Sequence, residues 1–103
     1  MAKFVITFRF DSDLKHPSYS ERYSTFMEQV RKTGAWEETT SFALTESSET
    51  TEQLCDRLYC HSQFSAAYDT MVVVNIENGF GVSRGRIQYP ATLRAKLNGL
   101  LQK

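Results

Sequence analysis

"KFVITFRFDSD", residues 3–13, is the stretch on which the reading of the fold turns. Phe4, Ile6, Phe8 and Phe10 alternate with Val5, Thr7 and Arg9, and the run stops at Asp11 and Asp13. A period of two over this length predicts a strand across residues 3–11, its aromatic face turned to a core. A carboxylate where an apolar strand leaves its sheet has two chemical uses. It can cap the loop by accepting from the amides that follow, or it can serve as a metal ligand.

Outward from that strand, "SYSE" at 18–21 has the form of a capping box, Ser18 accepting from the amide of Glu21. Tyr19, Tyr23, Phe26, Met27 and Val30 recur at helical spacing, and Gly34 suits a left-handed exit. "AWEETTSFALT", 35–45, has the composition of one bent strand or two short ones. Thr50 and Gln53 offer a second capping box, with Leu54 and Leu58 as the buried stripe of the next helix. "TMVVVNIE", 70–77, is apolar on both faces and predicts a central strand. "NGFGVSRG" reads as a turn and "RIQY" as a short edge strand. In "PATLRAKLNGLLQK" Leu93, Leu97, Leu100 and Leu101 form the stripe of a terminal amphipathic helix.

This order predicts an α+β sandwich of the ferredoxin-like kind: two helices on one face of an antiparallel sheet, plus a C-terminal amphipathic helix. The 103 residues suit a single domain, 1–103, with a core at 3–77 and a basic extension at 78–103. Phe4, Phe8, Phe10, Phe26 and Phe42 are assigned to the core. The second sheet face, carrying Val5, Thr7, Arg9 and alternate residues of 71–74, is left open, and an open apolar face on a small chain calls for a partner.

Net charge is zero but unevenly spread. Residues up to Glu77 hold all twelve acidic side chains against seven Lys and Arg, a net −5; beyond it Arg84, Arg86, Arg94, Lys96 and Lys103 give +5. Arg84, Arg86, Arg94 and Lys96 are therefore candidate contacts to a nucleic-acid backbone. The start of the chain lacks a signal-peptide pattern and no apolar run is long enough to span a bilayer, which predicts a cytoplasmic protein. Cys55 and Cys60, five apart on one helix, suit neither a disulfide nor paired C-x-x-C zinc spacing. Ser41 and Ser83 lack a nucleophile elbow, and "GFGVSRG" lacks the lysine and the strand–helix setting of a phosphate loop.

The step "FRFDSD", the helix ending in "KTGAW", the "TTSFALTES" strand and the "YDTMVVVNI" strand together resemble the small CRISPR-associated endoribonuclease family, the second Cas protein. Its virulence-associated protein D and GhoS-like antitoxin relatives share the likeness, which covers roughly residues 3–77. Phe10 stands where Tyr is usual in that family. The resemblance implies a ferredoxin-like homodimer in which Asp11 of each protomer holds a Mg²⁺ ion between the subunits, catalytic for phosphodiester cleavage of RNA or DNA. Asp13, Arg9 and His16 lie close enough in sequence to tune such a site.

Three functions follow as expectations. The first is a metal-dependent endonuclease-like dimer of a toxin–antitoxin or defence system. The second is a non-catalytic nucleic-acid-binding dimer. The third is a protein-interaction module, an antitoxin or phage-borne inhibitor with a protein partner.

Overall fold

The structure, a computed structural model, describes residues 1–13, 18–97 and 99–103. His16 lies outside the described residues, so its proposed tuning role has no structural counterpart here. The elements run β1 (Ala2–Arg9), α1 (Tyr19–Arg31), β2 (Phe42–Ser47), α2 (Thr51–Cys60), β3 (Thr70–Asn75), β4 (Gly81–Gly85), α3 (Pro90–Lys96) and β5 (Leu101–Gln102). They form an α+β fold with one five-stranded sheet in the order β2-β1-β3-β4-β5. β1 pairs antiparallel with β2 and β3, and β3 with β4, whereas β4 and β5 are parallel. The sheet is thus mixed rather than antiparallel.

The alternation in β1 works as its sequence implies. Phe4, Ile6 and Phe8 point to one face, where they meet Met71 and Val73 of β3, Ala43 of β2 and Val82 of β4. Phe26, Met27 and Val30 of α1 and Leu54 and Leu58 of α2 close this core from above. The second capping box is present, with Gln53 N donating to Thr50 Oγ1 at 3.1 Å and Thr50 N donating to Gln53 Oε1 at 2.9 Å. The first is not. Ser18 sits at φ 65°, ψ 33° and makes no side-chain cap bond, because the box needs an extended N-cap residue. Gly34 takes the left-handed exit at φ 68°.

Further expectations change. In "AWEETTSFALT" only Trp36 pairs, as a single bridge to Leu44, before β2 begins at Phe42. Phe42 is not core: it faces the opposite side of the sheet, edge-on to Trp36. Within "GFGVSRG" the stretch "GVSRG", 81–85, is strand β4 rather than turn, because Val82 finds Val73 and a place in the core, while "RIQY" forms no strand. The tail is not one long helix. α3 spans seven residues with none buried, and Gly99 at φ 76° lies between it and β5.

α3 connects the parallel strands β4 and β5. β4 runs opposite to β3, so a right-handed crossover must place α3 on the face away from α2. The packing agrees: Leu97 and Leu100 close on Gly81, whose partner Val74 belongs to that outer face. The outer face is therefore half covered, under α3, and half uncovered, around Trp36, Leu44 and Ile76. No helix among the described residues is long and apolar enough to cross a membrane.

Candidate functional site

Where β1 ends and β3 begins, the backbone is tied together by one carboxylate. Asp69 is wholly buried. Its Oδ1 accepts from the amide of Asp11 at 3.1 Å and from Arg22 Nη1, and its Oδ2 accepts from the amide of Ser65 at 2.9 Å. Arg22, also buried, donates through Nη2 to the carbonyl of Asp11 at 2.9 Å. A buried carboxylate needs this many donors, since one left unpaired costs several kcal/mol. The carbonyl of Asp69 in turn accepts from the amide of Arg86 at 2.8 Å. That approach is possible because Gly85, at φ 96°, has no Cβ; one built there would stand 2.0 Å from the Asp69 carbonyl oxygen. The local sequence thus brings Asp11 and Arg86, 75 positions apart, to one end of the sheet.

Between them lies a half-open concavity of about 700 Å³, lined among others by Arg9, Asp11, Ser12, Tyr68, Arg86 and Gln88. Arg9, Arg86 and Gln88 also border an adjoining groove of about 390 Å³ that runs under α3 past Thr70, Val72, Tyr89 and Lys96. Arg9, Arg86, Tyr89 and Lys96 are exposed. Among the described residues none of these three cations forms an ion pair, whereas Arg22, Arg31, Arg57, Arg84 and Lys103 all do. Three unmatched positive charges along a groove with two tyrosines can hold an anion with a planar, stackable part.

The structure separates the remaining sequence candidates. Arg84 lies on the helix-covered face, 3.2 Å from Asp56 and with its guanidinium 4.0 Å from the centre of the Tyr59 ring. Lys103 Nζ reaches the same Asp56 at 2.7 Å and Glu52 at 2.8 Å. Lys103 first, then Arg84, hold the Asp56 carboxyl below its usual range against a smaller desolvation penalty. Arg94 donates to Gln102 Oε1 at 2.5 Å on the exposed side of α3. Arg9 and Tyr68, which line the concavity, were not among the candidate nucleic-acid contacts. Arg9's outward position in the β1 alternation was the available signal; Tyr68 had none.

Asp11 does act as a loop cap, since its Oδ1 accepts from the amide of Asp13 at 2.9 Å. The described residues contain no group of three His, Cys, Asp or Glu placed to hold a metal, and the Asp69 carboxylate is committed to Arg22 and two amides. Cys55 and Cys60 are both free thiols, and burial pushes Cys55 up to about 11, which keeps it protonated and inert at neutral pH. No protein-family model, curated protein or solved structure matches the chain.

Proposed function

We propose that the chain is a nucleic-acid-binding protein that holds a single strand along the groove from Asp11 to Lys96. One observation carries this reading: Arg9, Arg86 and Lys96, which form no ion pair among the described residues, line two adjoining concavities beside Tyr68 and Tyr89. Cations placed in this way exchange counterions for phosphates, and tyrosine faces accept bases without demanding a sequence. A ferredoxin-like plan supports the same reading. We read the sheet order β3-β1-β2 with the Trp36–Leu44 bridge beside β2 as such a plan, the bridge standing in for the second strand of a β-α-β-β-α-β unit.

A homodimer belongs to the proposal. The uncovered half of the outer face presents Trp36 and Ile76, 42% and 51% exposed, beside Leu44 and Val5, and a twofold pair of copies would bury it. Light scattering should give a mass of two chains for the wild type and of one for Trp36→Lys. A monomeric wild type would remove the dimer.

The nucleic-acid reading is tested with labelled single-stranded RNA and DNA in fluorescence anisotropy. The wild type should bind at about 50 mM salt and weaken as salt rises, with a log–log slope of about −0.7 for each phosphate engaged. Arg9→Ala/Arg86→Ala/Lys96→Ala should lose most of that affinity and flatten the slope; a wild type with no affinity would overturn the reading. Endonuclease action is the second reading, favoured by Asp11 lining the concavity that holds Arg9 and Arg86. It calls for a second copy's Asp11 to complete a Mg²⁺ site, so the same samples are followed for cleavage with Mg²⁺ and with EDTA.

A further inference from the structure

The turn between β3 and β4 carries a chemistry of its own, in which neither the groove nor its ligand takes part. Its tip is Asn78-Gly79, both exposed. The backbone nitrogen of a glycine can attack the side-chain amide of an asparagine before it, because no Cβ stands in the way. Gly79 takes φ 74°, and a Cβ built on it would meet nothing within 4 Å. The approach to this peptide is open.

The hydrogen bonds of the turn hold the reacting groups together. Asn78 Oδ1 accepts from the amide of Phe80 at 2.8 Å, so the side chain lies across the Gly79 peptide. That same amide is placed to stabilise negative charge on Oδ1 as the carbonyl carbon is attacked. The backbone before it is fixed too, Asn75 Oδ1 accepting from the amides of Glu77 at 2.8 Å and Asn78 at 3.2 Å. One bond opposes the reaction. Gly79 N donates to the Asn75 carbonyl at 2.7 Å and must release it, which makes the step one of slow ageing. Asn75 is the contrast within the turn: it is buried, its Oδ1 is committed to two amides, and the β-branched Ile76 follows it.

We propose that Asn78 is a site of spontaneous conversion to isoaspartate. Gly79 N loses its proton and bonds to Asn78 Cγ; the Cγ–Nδ2 bond breaks and ammonia leaves with that proton. Water then opens the cyclic imide. Attack at the main-chain carbon leaves the chain running through Cβ and Cγ, with the former main-chain carbonyl as a free carboxylate. The balance is one water in and one ammonia out, with no change of oxidation state. The product adds a negative charge next to Glu77 and lengthens the turn by one methylene. That lengthening displaces the Gly79–Asn75 bond and the bond from Asn75 N to the Phe80 carbonyl at 2.9 Å.

The full chain is aged in neutral buffer at physiological temperature, beside a sample kept unfolded in urea. Peptide mapping by mass spectrometry locates each amide lost, and methyl transfer by an isoaspartyl methyltransferase detects the isomer. In the folded chain Asn78 should lose its amide and its peptide should accept methyl groups, while Asn75 keeps its amide. Asn78→Ser, with its fold verified by circular dichroism, should abolish methyl acceptance at this turn. Asn98-Gly99 repeats the dipeptide, and the mapping separates the two. Loss at Asn78 in urea but not in the folded chain would mean that the turn protects its asparagine and would overturn the proposal. Retention of the Asn78 amide in both samples would overturn it as well.

Discussion

Arg84 and Arg86 are two residues apart at the end of one strand, and the sheet separates them into opposite environments. Arg84, inside β4, points to α2, where Asp56 and the Tyr59 ring engage it. Arg86, one residue beyond the strand, turns outward through Gly85 into the groove and forms no ion pair among the described residues. The same side chain is a fastener in the first place and an available charge in the second. Composition cannot distinguish the two, because the basic excess after Glu77 contains both. Strand parity cannot either, since residues i and i+2 share a face; what separates them is the end of β4 at Gly85, whose φ of 96° turns the chain before Arg86.

The joint between the two regions is Asp69, and breaking it should have the largest effect. Its carboxylate binds Arg22 and the amide of Asp11, and its carbonyl binds the amide of Arg86. Asp69→Asn keeps the shape and removes the charge that the buried guanidinium of Arg22 pairs with. Loss of one partner of a buried pair costs about 3–5 kcal/mol, which for a chain of this size lowers the melting temperature by roughly 12 °C or more. Thermal denaturation by circular dichroism measures it. A shift of only a degree or two would mean that water replaces the ion pair and that the site end of the sheet is not held as described.

The core of the fold was legible because its signals are local and periodic. Phe4-Ile6-Phe8, the Phe26-Met27-Val30 stripe, and the Thr50–Gln53 box each declare an element without reference to the rest of the chain. What stayed hidden depends on long-range partners. β4 contains two glycines and a serine, residues poor in strand propensity, and becomes a strand because Val82 packs on Val73 and Arg84 on Tyr59. The leucines of the tail keep helical spacing, yet Leu100 and Leu101 serve opposite faces of the sheet edge instead. Asp11 could be named as a loop-starting carboxylate, and it is one. The concavity around it could not, since Tyr68 and Arg86 arrive there only through the Asp69 hub.

A smaller effect separates the two arginines directly. Arg84→Met removes a partly exposed ion pair and a ring contact, a loss of about 1 kcal/mol. Arg86→Met removes no side-chain hydrogen bond or ion pair found among the described residues and should change stability by less than about 0.5 kcal/mol. The acid limb of stability sharpens the contrast. Lys103 and Arg84 keep the folded-state pKa of Asp56 below its unfolded value. Stability from that carboxylate is therefore present above the ordinary aspartate pKa and is lost as pH falls through the depressed one. Arg84→Met should weaken this loss, because one of the two cations holding Asp56 ionised is gone, and Arg86→Met should leave it as in the wild type. In nucleic-acid binding the order reverses: Arg86→Met reduces the salt slope by about 0.7 and Arg84→Met does not. Urea unfolding at neutral and acid pH, run beside anisotropy on the same two variants, measures both halves. Equal salt slopes for the two would mean that Arg84 leaves Asp56 to reach the ligand, and that the end of β4 at Gly85 is not what divides these charges.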